Sequence, residues 1–230
     1  MKTAVVLGAD TQLGLSLVKK LLNLNLTVYA GSEIELQITH PNLVDSFLNI
    51  NDEKSIESFY DLIRDSEQSI SYYFNLINYM DLESLSETTI ASLNKHYLIN
   101  AAHSIYALSL AKPFFEFEDT VIFNLLGITS LNGYPDSLGY VMSKHALKGG
   151  IECLKVEWER EKYQFVDLYF GAIDDSDWDK YENVFERDKM LSLEDVIYII
   201  ETIINSPTNL KFNNISFSSK SEVLNHGFRS

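Results

Sequence analysis

The sequence predicts an α/β fold in which a doubly wound parallel sheet lies between two layers of helices. Short apolar runs alternate along the chain with longer segments whose apolar residues recur at helical spacing. Most of the runs are predominantly apolar, as expected for strands that are covered on both faces. The 230 residues contain no internal repeat and no linker rich in proline, glycine or serine. We therefore expect one three-layer domain over residues 1–230.

Four strands are predicted in the first half of the chain, at residues 3–7, 26–30, 47–50 and 70–76. Each is a short apolar run with β-branched or aromatic residues. After the first strand, apolar residues recur at helical spacing from Leu13 to Leu22. The third strand is followed by a segment from Asp52 with the same periodicity. Strand and helix therefore alternate, which indicates βαβ units and a parallel sheet.

The second half continues this alternation. A long helix is predicted at residues 89–112 and ends at Pro113. Another helix carries Tyr140 and extends to about Lys162, and Ser192 is expected to cap a third. The remaining strands are expected at residues 121–126, 165–170 and 210–217. Because ligands bind at the carboxyl ends of the strands in such sheets, several strand ends and the helix of Tyr140 should border one crevice.

Tyr140 and Lys144 are the main candidates for chemistry in this crevice. On a helix, side chains four residues apart share one face, so a phenol and an ammonium group would lie side by side. A nearby cation favours phenolate, and we therefore expect Lys144 to lower the pKa of Tyr140 and make it a general acid and base. The same spacing also arises where a packed tyrosine merely stands beside a solvated lysine. The order of the surrounding segments has to decide between the two.

Charge and composition exclude several classes of function. The net charge of −15 disfavours nucleic acid and anionic membrane surfaces as partners. It allows an anionic cofactor, because backbone amides at a helix start can hold a pyrophosphate. No segment approaches the roughly 18 apolar residues of a membrane span. The apolar start of the chain meets Gly8 too early to be a secretory signal.

Cysteine and histidine usage also limits the possibilities. A single cysteine, Cys153, excludes an internal disulfide and a cysteine-based zinc site, which favours a reducing, cytoplasmic location. The five histidines show no metal-binding spacing; His96 and His103 are close enough to share a helix face, but two ligands do not make a site. We therefore expect no metal.

In its order of motifs, the chain resembles the short-chain dehydrogenase/reductase superfamily, in the classical length class. The glycine-containing loop of residues 8–14 follows the first strand, and Asn100, Tyr140 and Lys144 come later in the order typical of that superfamily. The similarity extends over nearly the whole chain. It implies a Rossmann fold, NAD or NADP as cofactor, a small-molecule substrate, and pairing into homodimers or homotetramers. The implied reaction is hydride transfer between nicotinamide and a carbonyl or alcohol.

The resemblance implies that the loop at residues 8–14 holds the dinucleotide. Gly8 would permit the tight turn and Gly14 the close packing of helix on strand. One glycine of the usual three is replaced, by Gln12 or, in another alignment of the motif, by Thr11. The alternative is a plain strand-to-helix turn that binds no dinucleotide. The expected cofactor contacts are Gly8, Thr11, Gln12, Leu13, Gly14, Asn49, Ile50, Asn75, Tyr140, Lys144 and Gly171.

The choice between NAD and NADP is not legible in the sequence. Ser32 and Glu33 end the second strand, where an aspartate would favour NAD and an arginine NADP. Glu33 would either bind a ribose or remain a solvated charge. Asn49 and Ile50 match a pair that frames the adenine in the superfamily, although Ile50 fits the core equally well.

The resemblance gives three residues catalytic roles. Tyr140 would transfer the proton, Lys144 would stabilise the phenolate and hold the nicotinamide ribose, and Asn100 would hold a water of the proton relay. Where the superfamily has a serine that steadies the substrate carbonyl, this chain has Gly127. Loss of such a donor lowers the rate by about 10²–10³. Thr129 or Ser130 would have to replace it. The segment after the fourth strand also departs from the pattern, since only Asn75 matches.

The segment of about residues 172–191 is the expected substrate loop. Its four aspartates, Asp174, Asp175, Asp177 and Asp179, would either select a cationic or amine-bearing substrate or simply be the solvated charges of an acidic protein. Aromatic residues that would line an apolar pocket are Tyr134, Trp178, Tyr181 and Phe185. An apolar stripe of Leu147, Ile151, Leu154 and Trp158 would face either a partner subunit or the core.

Two classes of function follow from this reading. In the first, the chain is an NAD(P)-dependent oxidoreductase with Tyr140 as acid and base. In the second, it is a catalytically impaired relative that serves as a dinucleotide sensor or a scaffold subunit. Tyr140, Lys144 and Asn100 favour the first class, whereas Gly127 and the replaced loop glycine favour the second.

Overall fold

The computed structural model describes residues 2–181 and 186–220. Its strands are β1 (Thr3–Leu7), β2 (Thr27–Ser32), β3 (Leu43–Phe47), β4 (Tyr72–Asn75), β5 (Val121–Leu125), β6 (Gln164–Phe170) and β7 (Asn214–Phe217). They form one sheet in the order β3-β2-β1-β4-β5-β6-β7, and every neighbouring pair is parallel. From β1 the next strands are added toward one side of the sheet, and from β4 onward toward the other side. The order of the strands therefore switches between β1 and β4, and such folds bind ligands at this switch point.

Helices cover both faces of the sheet. They are α1 (Gln12–Asn23), α2 (Glu53–Asp65), α3 (Ile90–Tyr97), α4 (Ser104–Ala111), α5 (Leu138–Glu157) and α6 (Leu193–Ile204). One apolar core lies between the sheet and the helices α1 and α6, and a second lies between the sheet and α2, α4 and α5. The predicted three-layer α/β architecture, the Rossmann fold, is confirmed.

The third strand lies at Leu43–Phe47, so its prediction at residues 47–50 is wrong. β3 is the edge strand and is only partly buried, and it therefore lacks the continuous apolar run of a central strand. The apolar residues that suggested a strand, Leu48 and Ile50, instead fill the core beneath α2. The backbone N–H of Leu48 donates to the carbonyl of Ser32 as the chain leaves the sheet.

The long helix predicted at residues 89–112 is present but not uniform. Thr89 caps it, as a reciprocal pair of hydrogen bonds with Ser92 shows. Between α3 and α4 the chain forms a π-helical segment, Leu98–His103, which contains Asn100. Such wide turns are rare in proteins, and many of those that are found lie at functional sites.

The apolar stripe on α5 faces the protein's own core. Leu147, Ile151 and Trp158 are buried among residues of the sheet and of α4. At Gly150, an added Cβ would lie only 3.1 Å from the side chain of Ile105, so α4 and α5 pack closely at that point. Pairing into homodimers or homotetramers, as the resemblance implies, would therefore need another surface.

Across residues 2–181 and 186–220, no helix has both the length and the apolar character that crossing a lipid bilayer requires.

Candidate active site

The loop between β1 and α1 is a tight turn that depends on its two glycines. Gly8 has a φ of +78°, a conformation that favours glycine. At Gly14, an added Cβ would lie 2.2 Å from the carbonyl oxygen of Gly8, so only glycine lets the helix start this close to the strand. Thr11 ties the loop together, because its hydroxyl donates to the Gly8 carbonyl and accepts from the Gly14 amide.

The replaced glycine does not strain this loop. Thr11 has an extended backbone, and Gln12 is not among the residues with positive φ. The backbone N–H groups of Gln12 and Leu13 have no acceptor within the described part of the chain. Such amides at the start of a helix bind anions. Leu13 turns its side chain into the core and Gln12 is exposed, so the loop fits a pyrophosphate through its backbone.

The end of β2 is acidic. The Asp10 carboxylate accepts from the Glu33 amide at 3.0 Å. Asp45 accepts from the Ser32 hydroxyl at 2.9 Å and from a backbone amide of the following loop. No lysine or arginine of the described residues pairs with Asp10, Glu33 or Asp45. Three carboxylates therefore lie at the end of β2, the position from which the sequence did not decide between NAD and NADP.

Asn49 and Ile50 lie beside this acidic end. The Asn49 amide donates to the Ser55 hydroxyl, and its side-chain oxygen accepts from the Asn51 amide. Ile50 is buried in the second core. The structure thus places Ile50 in the core, one of the two positions that the sequence left open for it.

The segment after β4 packs against the glycine loop. The Asn75 side chain accepts from the Ile77 amide at 3.2 Å, and an added Cβ at Gly8 would lie 3.2 Å from the Leu76 backbone. The glycine loop and this segment therefore pack backbone against backbone. Asn78 follows and is exposed, and its Oδ1 accepts from the Tyr140 hydroxyl at 3.1 Å.

Tyr140 and Lys144 lie together at these strand ends. The Lys144 ammonium is 5.6 Å from the centre of the Tyr140 ring and donates to the Leu125 carbonyl at the end of β5, at 3.4 Å. The Tyr140 hydroxyl reaches the end of β4 through Asn78. Both side chains of the predicted pair thus point to the same edge of the sheet as the glycine loop.

Burial raises the pKa of Tyr140 above its ordinary value, and the nearby carboxylates of Asp177 and Asp175 raise it further. The prediction that Lys144 lowers this pKa is therefore wrong. The neighbouring polar groups of Thr129 and Asn78 act in the opposite direction and lower the pKa of Tyr140, but the effect of burial is larger. Tyr140 consequently holds its proton at neutral pH.

Burial also lowers the pKa of Lys144, from its ordinary value of 10.5 to about 8. The side chain is 3% exposed and, among the described residues, makes a single long hydrogen bond. The folded protein thus carries a poorly solvated ammonium group at neutral pH, which destabilises it.

Replacing Lys144 with methionine is expected to raise the free energy of unfolding by about 3 kcal/mol at pH 7, because this is the cost of a shift from 10.5 to about 8. The cost is fully present below pH 8, where Lys144 is protonated in both the folded and the unfolded protein. It disappears above about pH 10.5, where Lys144 is neutral in both. The stability gained by the variant should therefore shrink between these two pH values. Denaturant unfolding at several pH values measures it. Lys148→Met, which removes an exposed ion pair one turn away, should change little. A Lys144→Met variant that is less stable at pH 7 would contradict this expectation.

Asn100 is fully buried, and its carboxamide is fully engaged. It accepts from the Tyr79 amide at 2.7 Å and donates to the Tyr79 carbonyl and to the Ser143 hydroxyl. Ser143 in turn donates to the Tyr140 carbonyl. Asn100 therefore joins the π-helical segment to the chain after β4 and to α5 just beside Tyr140.

Gly127 occupies the position where the sequence lacks the expected serine. Its φ is +70°, so a serine there would be strained even though space is available. Ser130 is engaged with the Gly127 carbonyl at 2.7 Å and is not free to bind a substrate. The buried Thr129 hydroxyl has no hydrogen bond of ordinary geometry among the described residues, yet it lies close enough to lower the pKa of Tyr140. Thr129 is the better placed of the two candidates.

The acidic loop after β6 is held together by Arg187. The guanidinium group pairs with Asp174 at 2.5 Å and with Asp179, and donates to the Asp175 carbonyl. Burial and the neighbouring Asp177 raise the pKa of Asp175 to about 6. The Asp174 and Asp179 carboxylates therefore serve the loop itself, whereas Asp175 and Asp177 lie near Tyr140.

The aromatic residues of the predicted substrate loop turn partly toward the rest of the protein. The ring of Trp178 packs edge-on against Tyr181, and the Tyr181 hydroxyl donates to Asp81 and accepts from the Leu82 amide. Phe185 lies outside the described residues. Tyr181 thus fastens the loop to the segment after β4, next to Asn78.

Gly171 is buried at the end of β6, where its amide donates to the Phe217 carbonyl of β7. Within residues 2–181 and 186–220, no three side chains of histidine, cysteine, aspartate or glutamate are grouped so that they would hold a metal ion.

Comparison with known proteins agrees with this geometry. No protein-family model matches the sequence. The sequence is similar to the probable short-chain type dehydrogenase/reductase VdlC of Helicobacter pylori, with 25% identity over 197 residues, which cover 83% of this chain and 72% of that protein.

Solved structures share the fold. An alcohol dehydrogenase from the archaeon Thermococcus sibiricus, complexed with 5-hydroxy-NADP, superimposes with a TM-score of 0.83 at 15% identity, over 98% of this chain and 99% of that one. A 4-hydroxyisoleucine dehydrogenase complexed with NADH superimposes with a TM-score of 0.76 at 18% identity, over 94% of this chain and 96% of that one. The sequence is thus similar to a short-chain type dehydrogenase/reductase, and the solved structures show that the chain has the same fold as these dehydrogenases.

Proposed function

We propose that the chain is an NAD(P)-dependent oxidoreductase that transfers hydride between nicotinamide and a small carbonyl or alcohol substrate. The observation that carries the proposal is the meeting of Tyr140, Lys144 and the glycine loop at one edge of the sheet. The dinucleotides bound by related folds are of the NADP and NADH types, which supports a cofactor of this class. When bound, the dinucleotide would supply or accept the hydride.

The residues of the chain would have distinct tasks. Tyr140 would donate a proton to a carbonyl oxygen, since it is protonated at neutral pH and its hydroxyl lies at the strand ends. Lys144 would stabilise the resulting phenolate and hold the nicotinamide ribose. Asn100 would fix the helix turn beside Tyr140, because its carboxamide is fully engaged with Tyr79 and Ser143 and is not free to hold a water of a proton relay. The amides of Gln12 and Leu13 would bind the pyrophosphate.

A non-catalytic role is the second candidate, and two observations favour it. The pKa of Tyr140 is raised, which makes the phenol a weaker acid, and Gly127 stands where the superfamily pattern has a hydrogen-bond donor. Such a chain would bind the dinucleotide as a sensor or serve as a scaffold subunit. We favour the enzyme, because the side chains of Tyr140 and Lys144 lie together at the same strand ends as the glycine loop.

A titration with NADH and with NADPH, followed by nicotinamide fluorescence, tests the proposal. Saturable binding of either supports it, and turnover of a panel of carbonyl substrates by the bound form would then separate enzyme from sensor. If neither dinucleotide binds at millimolar concentration, the oxidoreductase and the sensor are both rejected.

We expect NADH to bind about tenfold or more tightly than NADPH. The carboxylates of Asp10, Glu33 and Asp45 surround the end of β2, where the adenosine ribose lies in such folds, and they would repel a 2′-phosphate. Asp10→Asn keeps the acceptor oxygen but removes the charge, so it should narrow the ratio of the two dissociation constants. Asp119→Asn, which lies just before β5 at the amino ends of the strands, should leave that ratio unchanged. Tighter binding of NADPH would refute the preference.

A further inference from the structure

Asn78 contacts the proton-transfer group directly, although sequence patterns gave it no role. Its Oδ1 accepts from the Tyr140 hydroxyl at 3.1 Å, across 62 positions of the chain. Asn78 is exposed at the end of β4, so neither packing nor a buried backbone group requires an amide there. Its Nδ2 has no partner in the described part of the chain. One end of the carboxamide is thus engaged with Tyr140, and the other is available.

The charged groups that face Tyr140 come from two elements. Lys144 of α5 lies on one side, with its ammonium 5.6 Å from the ring centre and hydrogen-bonded to the Leu125 carbonyl. The carboxylates of Asp175 and Asp177, in the loop after β6, lie near enough to disfavour a phenolate. The neutral groups that face the hydroxyl are Asn78 and Thr129. Among the described residues, these two are the neutral groups that lower the pKa of Tyr140.

A carboxamide can serve both forms of the phenol. While Tyr140 carries its proton, Oδ1 of Asn78 accepts the hydrogen bond. A half-turn of the carboxamide brings Nδ2 to the same place, where it donates to the phenol oxygen. The phenol proton is then free to point elsewhere, and the oxygen receives a hydrogen bond that favours the anion.

We infer that Asn78 is a positioning residue for Tyr140, whose hydroxyl its carboxamide holds at the end of β4 and whose phenolate it stabilises by donating from Nδ2. In the proposed reduction, the O–H bond of Tyr140 breaks as the proton passes to the substrate oxygen, while hydride reaches the substrate carbon. The negative charge left on the phenol oxygen is then shared between the Nδ2–H of Asn78 and Lys144. The inference rests on the proposed role of Tyr140, but its test requires neither cofactor nor turnover.

The test replaces Tyr140 with a difluorotyrosine, whose more acidic phenol titrates where the protein stays folded. Fluorine NMR then follows its ionisation in the full chain. Asn78→Ala should raise its pKa by about one unit, a tenfold change in proton affinity, because a hydrogen bond to a charged group is lost. Asn78→Asp, which has the same shape but donates no hydrogen bond when ionised and adds negative charge, should raise it further.

An uncharged variant of similar shape separates this role from a merely structural one. If Asn78 only filled space, Asn78→Leu would leave the pKa unchanged, whereas loss of the donor should raise it as Asn78→Ala does. Asn51→Ala, which alters another exposed asparagine away from Tyr140, should leave the titration unchanged. An unchanged or lowered pKa of residue 140 in Asn78→Ala would overturn the inference even if NADH binds. A raised pKa would support it even if no dinucleotide binds.

Discussion

Replacement of Tyr140 by phenylalanine is expected to lower kcat by a factor of about 10²–10⁴, the usual contribution of a positioned acid or base. The change removes one hydroxyl and its hydrogen bond to Asn78 and leaves the ring in place. The glycine loop and Lys144 do not depend on that hydroxyl, so NADH should bind with nearly unchanged affinity. The rate of NADH oxidation over a panel of carbonyl substrates measures kcat, and fluorescence titration measures binding.

The matched control is Tyr198→Phe, which removes an exposed hydroxyl on α6 and should leave kcat unchanged. Unaltered turnover in Tyr140→Phe would mean that the proton comes from another group. The non-catalytic alternative makes a different prediction. If the chain is a sensor, neither Tyr140→Phe nor Tyr198→Phe turns over a substrate, and both still bind NADH.

Replacement of Gly14 by alanine is expected to abolish dinucleotide binding and to cost about 1–3 kcal/mol of stability. The added Cβ would lie 2.2 Å from the Gly8 carbonyl oxygen and 2.8 Å from the Ala9 Cα, and both are backbone atoms that no rotamer change can move. The start of α1 must therefore shift away from β1, and the free amides of Gln12 and Leu13 shift with it. Denaturant unfolding and NADH titration measure the two effects.

Gly149→Ala serves as the control for this change. Gly149 lies on the exposed side of α5, where an added Cβ meets nothing within 4 Å. There, alanine should stabilise the helix by about 0.5–1 kcal/mol and leave binding intact. A Gly14→Ala variant that is as stable as the unmodified chain and binds NADH would show that the loop is not a dinucleotide cradle.

The central strands and the helices were predictable from the sequence because they bury whole apolar faces. β1 is buried at every position, and α1 repeats its apolar residues at helical spacing, so the period of the pattern identifies each of them. The edge strand β3 was misplaced since it is half-exposed and carries Asp45 and Ser46. The π-helical turn at Asn100 has no periodic signature and is set by the hydrogen bonds of that side chain with Tyr79 and Ser143.

The candidate site was predictable only in part. Tyr140, Lys144 and the loop glycines have a fixed spacing along the chain, and the structure brings them to the same edge of the sheet. The contact of Asn78 with Tyr140 joins residues far apart in sequence and leaves no local pattern. The direction of the pKa shift of Tyr140 was also beyond sequence spacing, since it depends on burial and on carboxylates from the loop after β6. Spacing identifies which groups can meet, whereas three-dimensional packing decides their charge state.

The most direct test of the account is one fluorescence titration of NADH against three proteins: the unmodified chain, Tyr140→Phe and Gly14→Ala. We predict saturable binding of similar strength to the first two and no binding to the third, because the cradle, and not the phenol, holds the dinucleotide. If NADH and NADPH both fail to bind the unmodified chain at millimolar concentration, the crevice is not a dinucleotide site and the proposed redox function is wrong.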